Sequence, residues 1–417
     1  MKLSCTECGQ GRSITDPVWR CECGGLLQVE QRLGELDGEK LRRVFDERLA
    51  HRNMPYASGV WRYKELIHPE LPVERIVTKY EGNTGLYGSE PVRRFTGVRD
   101  LRLKAQSENP SGSFKDNGMT VAVSQGAWLG YERFACSSTG NTSSSLAMYA
   151  ALSGKASYVF VPEEGVAGGK VLQTAAYGAR MIRFQGTYDD GIRFLERHAA
   201  ELELYVCNSV NPFRIEGQKC IVYEIAQALN WTLPDWIVLP GGALSNVSAL
   251  GKGLQDMLAT GLISRMPRVA VVQAEGASPF HRMIERGLKE LTPEPRPHTL
   301  ASALNIGNPP SWKKAAAVLQ ATRGVTVSVT DEEIMEAKAV IDRAGIGCEP
   351  ASAASAAGLR KLVARGIVDK DETAVCILTG HMLKDADALQ RYVTGGAADA
   401  GIPVSSALEL EQVKERM

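Results

Sequence analysis

From about residue 95 onward, short runs of β-branched and aromatic residues alternate with Ala-rich segments of helical character. Apolar runs of this length, bounded by turn residues, predict strands over Arg133–Ser138, Ala156–Pro162, Arg180–Phe184, Leu202–Asn208, Trp236–Pro240, Arg268–Ala274, Val325–Val329 and Thr373–Leu378. Between them, Ser143–Leu152, Gly168–Tyr177, Cys220–Leu229 and Ala351–Ala364 predict helices. Strand and helix in alternation predict an α/β protein, with two parallel-sheet domains carrying helices on both faces.

The chain before residue 95 is patterned differently. A small Cys-rich segment comes first, and a charged, helix-prone stretch follows from about Gln31 to His51. Aromatic and Pro-rich sequence near Met54–Trp61 reads as a connector. The expected organisation is a ribbon-like segment over 1–30 and the N-terminal part of a large domain with its connector over 31–123. A small mobile domain follows over 124–204, the rest of the large domain over 205–395, and a tail over 396–417 in which Leu408–Met417 could form a short helix.

At 417 residues the chain exceeds one ordinary core, and 44% apolar with 23% charged residues is a globular balance. Lys+Arg and Asp+Glu both count 48, which argues against a protein built to coat nucleic acid or an acidic membrane. No stretch approaches the roughly 18 uninterrupted apolar residues of a membrane span, and the N-terminus lacks the apolar run of a signal peptide. A cytoplasmic protein is expected. Nine cysteines are then buried thiols or metal ligands, not disulfides.

Three stretches offer chemistry. In Asn109-Pro110-Ser111-Gly112-Ser113-Phe114-Lys115-Asp116, a turn leads into an apolar periodic segment, so Lys115 stands where a loop enters a helix. A lysine that attacks a carbonyl must be partly desolvated, and Phe114 could hold it so; a lone lysine there is otherwise an ordinary solvated one. Ser137-Ser138-Thr139-Gly140-Asn141-Thr142 follows a strand and opens a helix, a place suited to an anion as well as to simple capping. Gly241-Gly242-Ala243-Leu244-Ser245-Asn246 also joins strand to helix, and its glycines would let backbone approach a phosphate, although many plain turns hold Gly-Gly. Arg214, in Asn208-Ser209-Val210-Asn211-Pro212-Phe213-Arg214, could grip a phosphate bidentately or lie on the surface. Thr379 sits at the C-terminal end of a strand, where open α/β sheets bind ligands.

Taken in order over about residues 78–390, these pieces resemble threonine synthase, in the fold-type II (tryptophan synthase β-like) family of pyridoxal 5′-phosphate (PLP) enzymes. The resemblance is carried by Glu81-Gly82-Asn83-Thr84, Asn109–Asp116, Ser137–Thr142 and Asn208–Lys219, and later by Ile306–Pro309, Glu349–Ala354 and Thr379-Gly380-His381. It implies that Lys115 carries PLP as a Schiff base and shuttles protons. Asn141 would meet the ring's 3′-oxygen, Thr379 the pyridine nitrogen, and the backbone of the Gly241, Gly242, Ala243, Leu244, Ser245 and Asn246 loop the cofactor phosphate. Ser138, Thr139 and Thr142 would hold the substrate carboxylate, and Asn208, Ser209 and Arg214 the substrate phosphate. The implied reaction converts O-phospho-L-homoserine and water to L-threonine and phosphate, in a homodimer. The chain departs from the family's usual pattern at Gly85 (Pro in the family), Asn117 (Arg or Leu) and Ser245 (Gly). Such changes could mark a relative acting on another substrate, such as a cysteate synthase-like β-replacement on phosphoserine, or a non-catalytic paralogue.

Cys5-x2-Cys8-x12-Cys21-x-Cys23 resembles a zinc ribbon with one shortened knuckle. It would hold a structural zinc, or pack as a metal-free remnant. A nucleic-acid role for it is disfavoured by the lack of basic residues clustered nearby.

Overall fold

The structure is a computed structural model that describes residues 1–138, 140–163 and 168–394; the side chains of 168–170, 188, 189, 391, 393 and 394 are not described. Thr139 and the expected helix Leu408–Met417 therefore lie outside the described residues.

The strands in chain order are β1 (Lys2–Cys5), β2 (Gly11–Arg12), β3 (Leu27–Glu30), β4 (Leu86–Gly88), β5 (Asp100–Ala105), β6 (Arg133–Ser137) and β7 (Ala156–Pro162). They continue as β8 (Arg180–Phe184), β9 (Leu204–Val206), β10 (Trp236–Pro240), β11 (Arg268–Ala274), β12 (Val325–Val329) and β13 (Thr373–Leu378). They form three sheets, in the orders β2-β1-β3, β12-β11-β10-β13-β5-β4 and β8-β7-β6-β9. The first is antiparallel, the third is parallel, and the second is parallel except for β4 at its edge.

Alternate residues of a strand face opposite sides of a sheet. In β10, Ile237 and Leu239 join one core cluster while Trp236 and Val238 join another, and β11 divides in the same way. In the four-stranded sheet, Phe134 and Cys136 enter one cluster and Ala135 the other. Both faces are covered, which is why these strands read as continuous apolar runs without alternation. The helix Pro350–Ala364 reaches the large sheet closely because it is rich in Ala and Gly; a Cβ at Gly358 would lie 2.4 Å from a methyl of Val272.

Six of the eight expected strands have the observed bounds, the Arg133–Ser138 strand ends at Ser137, and the Leu202–Asn208 run pairs only over Leu204–Val206. Asn208 leaves the strand because its amide bonds the backbone of Ser137 instead. The charged stretch from Gln31 to His51 is α-helical only over Gly38–Arg48, where Asp37 caps the start by accepting from the amides of Glu39 and Lys40. Among the described residues no helix is long and apolar enough to cross a membrane.

His68 joins the connector to this body. Its Nδ1 accepts from the Leu71 amide, so Nε2 donates to Oε1 of Gln125, and the ring stacks on Phe213. Burial holds the ring neutral, with its pKa lowered to about 4. As pH falls from about 6.5 toward 4, the unfolded chain binds a proton that the folded ring refuses, so stability is lost across that window. Thermal unfolding should show the melting temperature falling between about pH 7 and pH 5, with a smaller fall in His68→Gln even though that variant starts lower.

Candidate active site

Lys115 is the first residue of the helix Lys115–Trp128, half-buried, with its Nζ 4.2 Å from the centre of the Phe114 ring. The loop before it is sewn to the end of β13. The Phe114 amide donates to the Thr379 carbonyl, the His381 amide donates to the Gly112 carbonyl, and Ser113 bridges Gly380. Gly112 makes the turn at φ +87°, open to glycine without strain. Asn109 anchors the other end: its Oδ1 accepts from the Gly82 amide, and its Nδ2 donates to Gln106. The Glu81–Thr84 stretch is thus a support for the lysine loop.

Asp116 follows the lysine and is fully buried. It accepts from the amide and hydroxyl of Ser111 and from the hydroxyl of Ser145, each at 2.6 Å. Burial pushes its carboxyl up to about 6, against the pull of those hydrogen bonds and of Lys384. It ties the lysine turn to the helix Asn141–Leu152.

That helix brings Asn141 to Glu349. The Asn141 Nδ2 lies 3.1 Å from both carboxylate oxygens of Glu349, and its Oδ1 has no partner among the described residues. Thr379 Oγ1 lies 3.0 Å from Ser352 Oγ and donates to Glu349 over 3.4 Å. Ser352 also accepts the amides of Thr379 and Gly380, which fixes the strand end. Glu349 joins two expected cofactor residues; it opens the Glu349–Ala354 motif, which by itself assigns it no role.

The loop Gly241–Asn246 runs from β10 into the helix Ser245–Ala259. Leu244 takes a left-handed conformation at φ +64°, and Asn246 Nδ2 donates back to the Pro240 carbonyl. A Cβ at Gly242 would lie 2.7 Å from the Ala303 carbonyl, so glycine is required there. The amides of Ser245 and Asn246 have no intrahelical acceptor and suit an anion, whereas the Val247 amide donates to Asn246 Oδ1. Beside the loop is a cavity lined by Phe114, Gln218, Leu239, Asn246, Ile377 and Thr379. Neither amide atom of Gln218 has a partner among the described residues, although the residue is 1% exposed. Gln218 lies within the Asn208–Lys219 motif, but the sequence assigns it no role, since a glutamine there reads equally as a structural polar residue.

Ser138 and Thr142 flank the start of the Asn141–Leu152 helix, where the Gly140 amide donates to the Ser138 hydroxyl. Asn208 spends its amide on both backbone groups of Ser137, and Ser209 is buried beside it. Arg214, on the helix Pro212–Gln218, is fully buried and donates from Nη1 to the Cys207 carbonyl. Its helix crosses the lysine helix with backbones in contact. A Cβ at Gly118 would lie 2.6 Å from the Arg214 carbonyl, and one at Gly217 would lie 2.0 Å from that of Asn117.

An amine on a helix start, a glycine loop leading into a helix N-terminus, a hydroxyl at a strand end, the unpartnered Oδ1 of Asn141 and the unpartnered amide of Gln218 fit a phosphorylated pyridine cofactor. Far from these, the Sγ atoms of Cys5, Cys8, Cys21 and Cys23 all lie within 4.8 Å of one another and could hold a metal ion.

Gly217→Ala should lower stability by about 1–3 kcal/mol through overpacking at the helix crossing. Thermal unfolding checks this against Gly34→Ala, whose Cβ meets nothing within 4 Å.

Residues 77–380 match the family described as pyridoxal-phosphate dependent enzymes. A threonine synthase of Methanocaldococcus jannaschii is 43% identical over 393 residues, covering 94% of this chain and 95% of that protein. Threonine synthase 2, chloroplastic, of Arabidopsis thaliana is 36% identical over 89% of this chain and 74% of that protein. In fold, the chain is similar to the crystal structure of threonine synthase from Escherichia coli, with a TM-score of 0.71 at 15% identity over 97% of this chain and 95% of that one. Maize serine racemase has the same fold at a TM-score of 0.64 and 17% identity, covering 81% of this chain and 97% of that one, so the fold by itself does not select the reaction. The relatives of 36–43% identity do: the chain belongs to the pyridoxal-phosphate dependent enzymes and, among them, to the threonine synthases.

Proposed function

We propose that this protein converts O-phospho-L-homoserine and water to L-threonine and phosphate, with PLP held on Lys115. The observation that carries the reading is the crossing of the Lys115 and Arg214 helices, which puts a half-buried amine and a fully buried guanidinium on one rigid unit. When bound, PLP supplies an electron sink for negative charge on the carbons of an attached amino acid.

The chain's own residues do the rest. Gly242 to Asn246 would hold the cofactor phosphate with backbone amides, the Gly241 amide being spent on the Val272 carbonyl; Asn141, whose Nδ2 rests on Glu349, would meet the ring's 3′-oxygen, and Thr379 would meet the ring nitrogen. Ser138, Thr139 and Thr142 hold the substrate carboxylate, with Thr139 outside the described residues. Asn208, Ser209 and Arg214 hold the substrate phosphate, which leaves from Cγ as water adds at Cβ. Lys115 Nζ takes and returns protons at the substrate carbons, held 4.2 Å from the centre of the Phe114 ring at the start of its helix. Gln218, which lines the cavity with both amide atoms unpartnered, would help position the bound cofactor.

In this reading the stretch 124–204 is a small domain that closes over substrate on the larger one. The protein acts in the cytoplasm as a homodimer, and light scattering of the purified chain tests the dimer.

Purified, PLP-loaded protein given O-phospho-L-homoserine should release phosphate and form threonine in equal amounts. Lys115→Ala should lower kcat by on the order of 1000-fold or more. Phosphate without threonine, or no turnover despite a lysine-dependent cofactor band, would redirect the reading to phosphoserine with another nucleophile. Arg214→Lys loses the planar fork and should raise KM by about tenfold. Gln218→Leu removes an amide with no protein partner, so unfolding should change little, while equilibrium dialysis should show weaker PLP retention and the cofactor absorption should shift.

A further inference from the structure

The ribbon at the N-terminus is arranged as a metal site. Cys5 and Cys8 stand on one turn, where the Gly9 amide donates to the Cys5 carbonyl and the Glu7 amide points at the Cys5 sulfur. Cys21 and Cys23 stand on a second turn, closed by the Gly24 amide on the Cys21 carbonyl and the Cys21 amide on the Gly25 carbonyl. The turns face each other crosswise: Cys5 Sγ is 3.5 Å from Cys23 Sγ, and Cys8 Sγ is 3.7 Å from Cys21 Sγ. Those gaps are too wide for disulfides. They match the edge of a tetrahedron of thiolates, which is about 3.8 Å when each sulfur lies about 2.3 Å from zinc. A Cβ at Gly25 would lie 2.5 Å from Cys5 Sγ, so only glycine leaves that sulfur its place.

The ribbon is also wired to the helices of the active site. The Ile14 carbonyl accepts from Gln125 Nε2 on the lysine helix. Gln31, just beyond β3, donates to Glu216 on the Arg214 helix. Lys252 pairs with Glu216 and donates to the carbonyl of Val29 in β3, and Lys314 donates to that of Leu27. A segment of about thirty residues with three short strands has little core of its own, so its geometry needs a staple.

We propose that Cys5, Cys8, Cys21 and Cys23 bind one zinc ion, and that this ion makes the ribbon a brace for the helices carrying Lys115 and Arg214. Zinc takes no part in the chemistry; it keeps the Ile14 and Val29 carbonyls and Gln31 in place, and through them the seat of Arg214. The effect on substrate affinity rests on the reading of Arg214 given above, whereas metal content and helix dynamics do not.

Elemental analysis of the PLP-loaded full chain should find one zinc per chain, lost in the double variant Cys8→Ser/Cys23→Ser, which alters the two exposed thiols. Cobalt substitution should give the visible absorption of a tetrahedral thiolate site. In the double variant, or in wild-type protein stripped by a strong chelator if the variant fails to fold, amides of residues 213–218 should exchange about tenfold faster. KM for O-phospho-L-homoserine should rise about fivefold with the cofactor absorption unchanged. Zinc well below one per chain, another metal in its place, or equal zinc in the variant overturns the site. Zinc bound and removable with no change in exchange overturns the brace. Faster exchange with KM unmoved overturns only the link to Arg214.

Discussion

The contact on which the site depends is the crossing of two helices at a pair of glycines, where backbone meets backbone. Helices normally pack about 8–10 Å apart, the distance their side chains set. Gly118 and Gly217 let Lys115–Trp128 and Pro212–Gln218 approach backbone to backbone. The lysine turn, the buried arginine and the unpaired Gln218 amide are thereby referred to one frame. Shifting either helix by a methyl group would move all three. Around this frame the lysine helix is tied down further, since Thr120 donates to the Val77 carbonyl and accepts from Trp61 Nε1.

A second layer of constraint is electrostatic. Lys219 is fully buried between Glu216 and Asp256, at 2.6 Å from each. Burial alone would lower its amine, but Asp256 and Glu216 outweigh that and raise it. Lys104, buried in β5, meets Glu224 at 2.8 Å and the Thr84 carbonyl at 2.6 Å. Such groups are costly unless every partner is present, so they specify one arrangement of the elements that supply them. Those elements are β5, the Thr84 stretch and the helices beneath the site.

Most strands were legible because both faces of each parallel sheet are covered, which forces apolar runs of strand length. The missed strands break that rule for physical reasons. β5 carries Arg102 at partial exposure and Lys104 in its interior ion pair, so it reads as mixed sequence. β2 is two residues long and β4 lies exposed at an edge. The departures from the family pattern also gain an account. Gly85 donates its amide to Glu108, which a proline could not do, and Asn117 donates to Gln106 beside the Asn109 anchor.

From the residues alone came the α/β layering, the place of Lys115 at a loop-to-helix junction, the glycine loop after β10 and the cysteine spacing of the ribbon. These are local features, set by the period of apolar residues and by turn chemistry over a few positions. Only the tertiary structure decided that Glu349 stands between Asn141 and Thr379, that Gln218 keeps its amide unspent, that Asn208 bonds Ser137, and that the ribbon's carbonyls receive Gln125 and Lys252. Each joins segments far apart in the chain, and a polar side chain carries no local mark of which distant partner will satisfy it. Burial makes that partner obligatory, and burial is a property of the assembled fold.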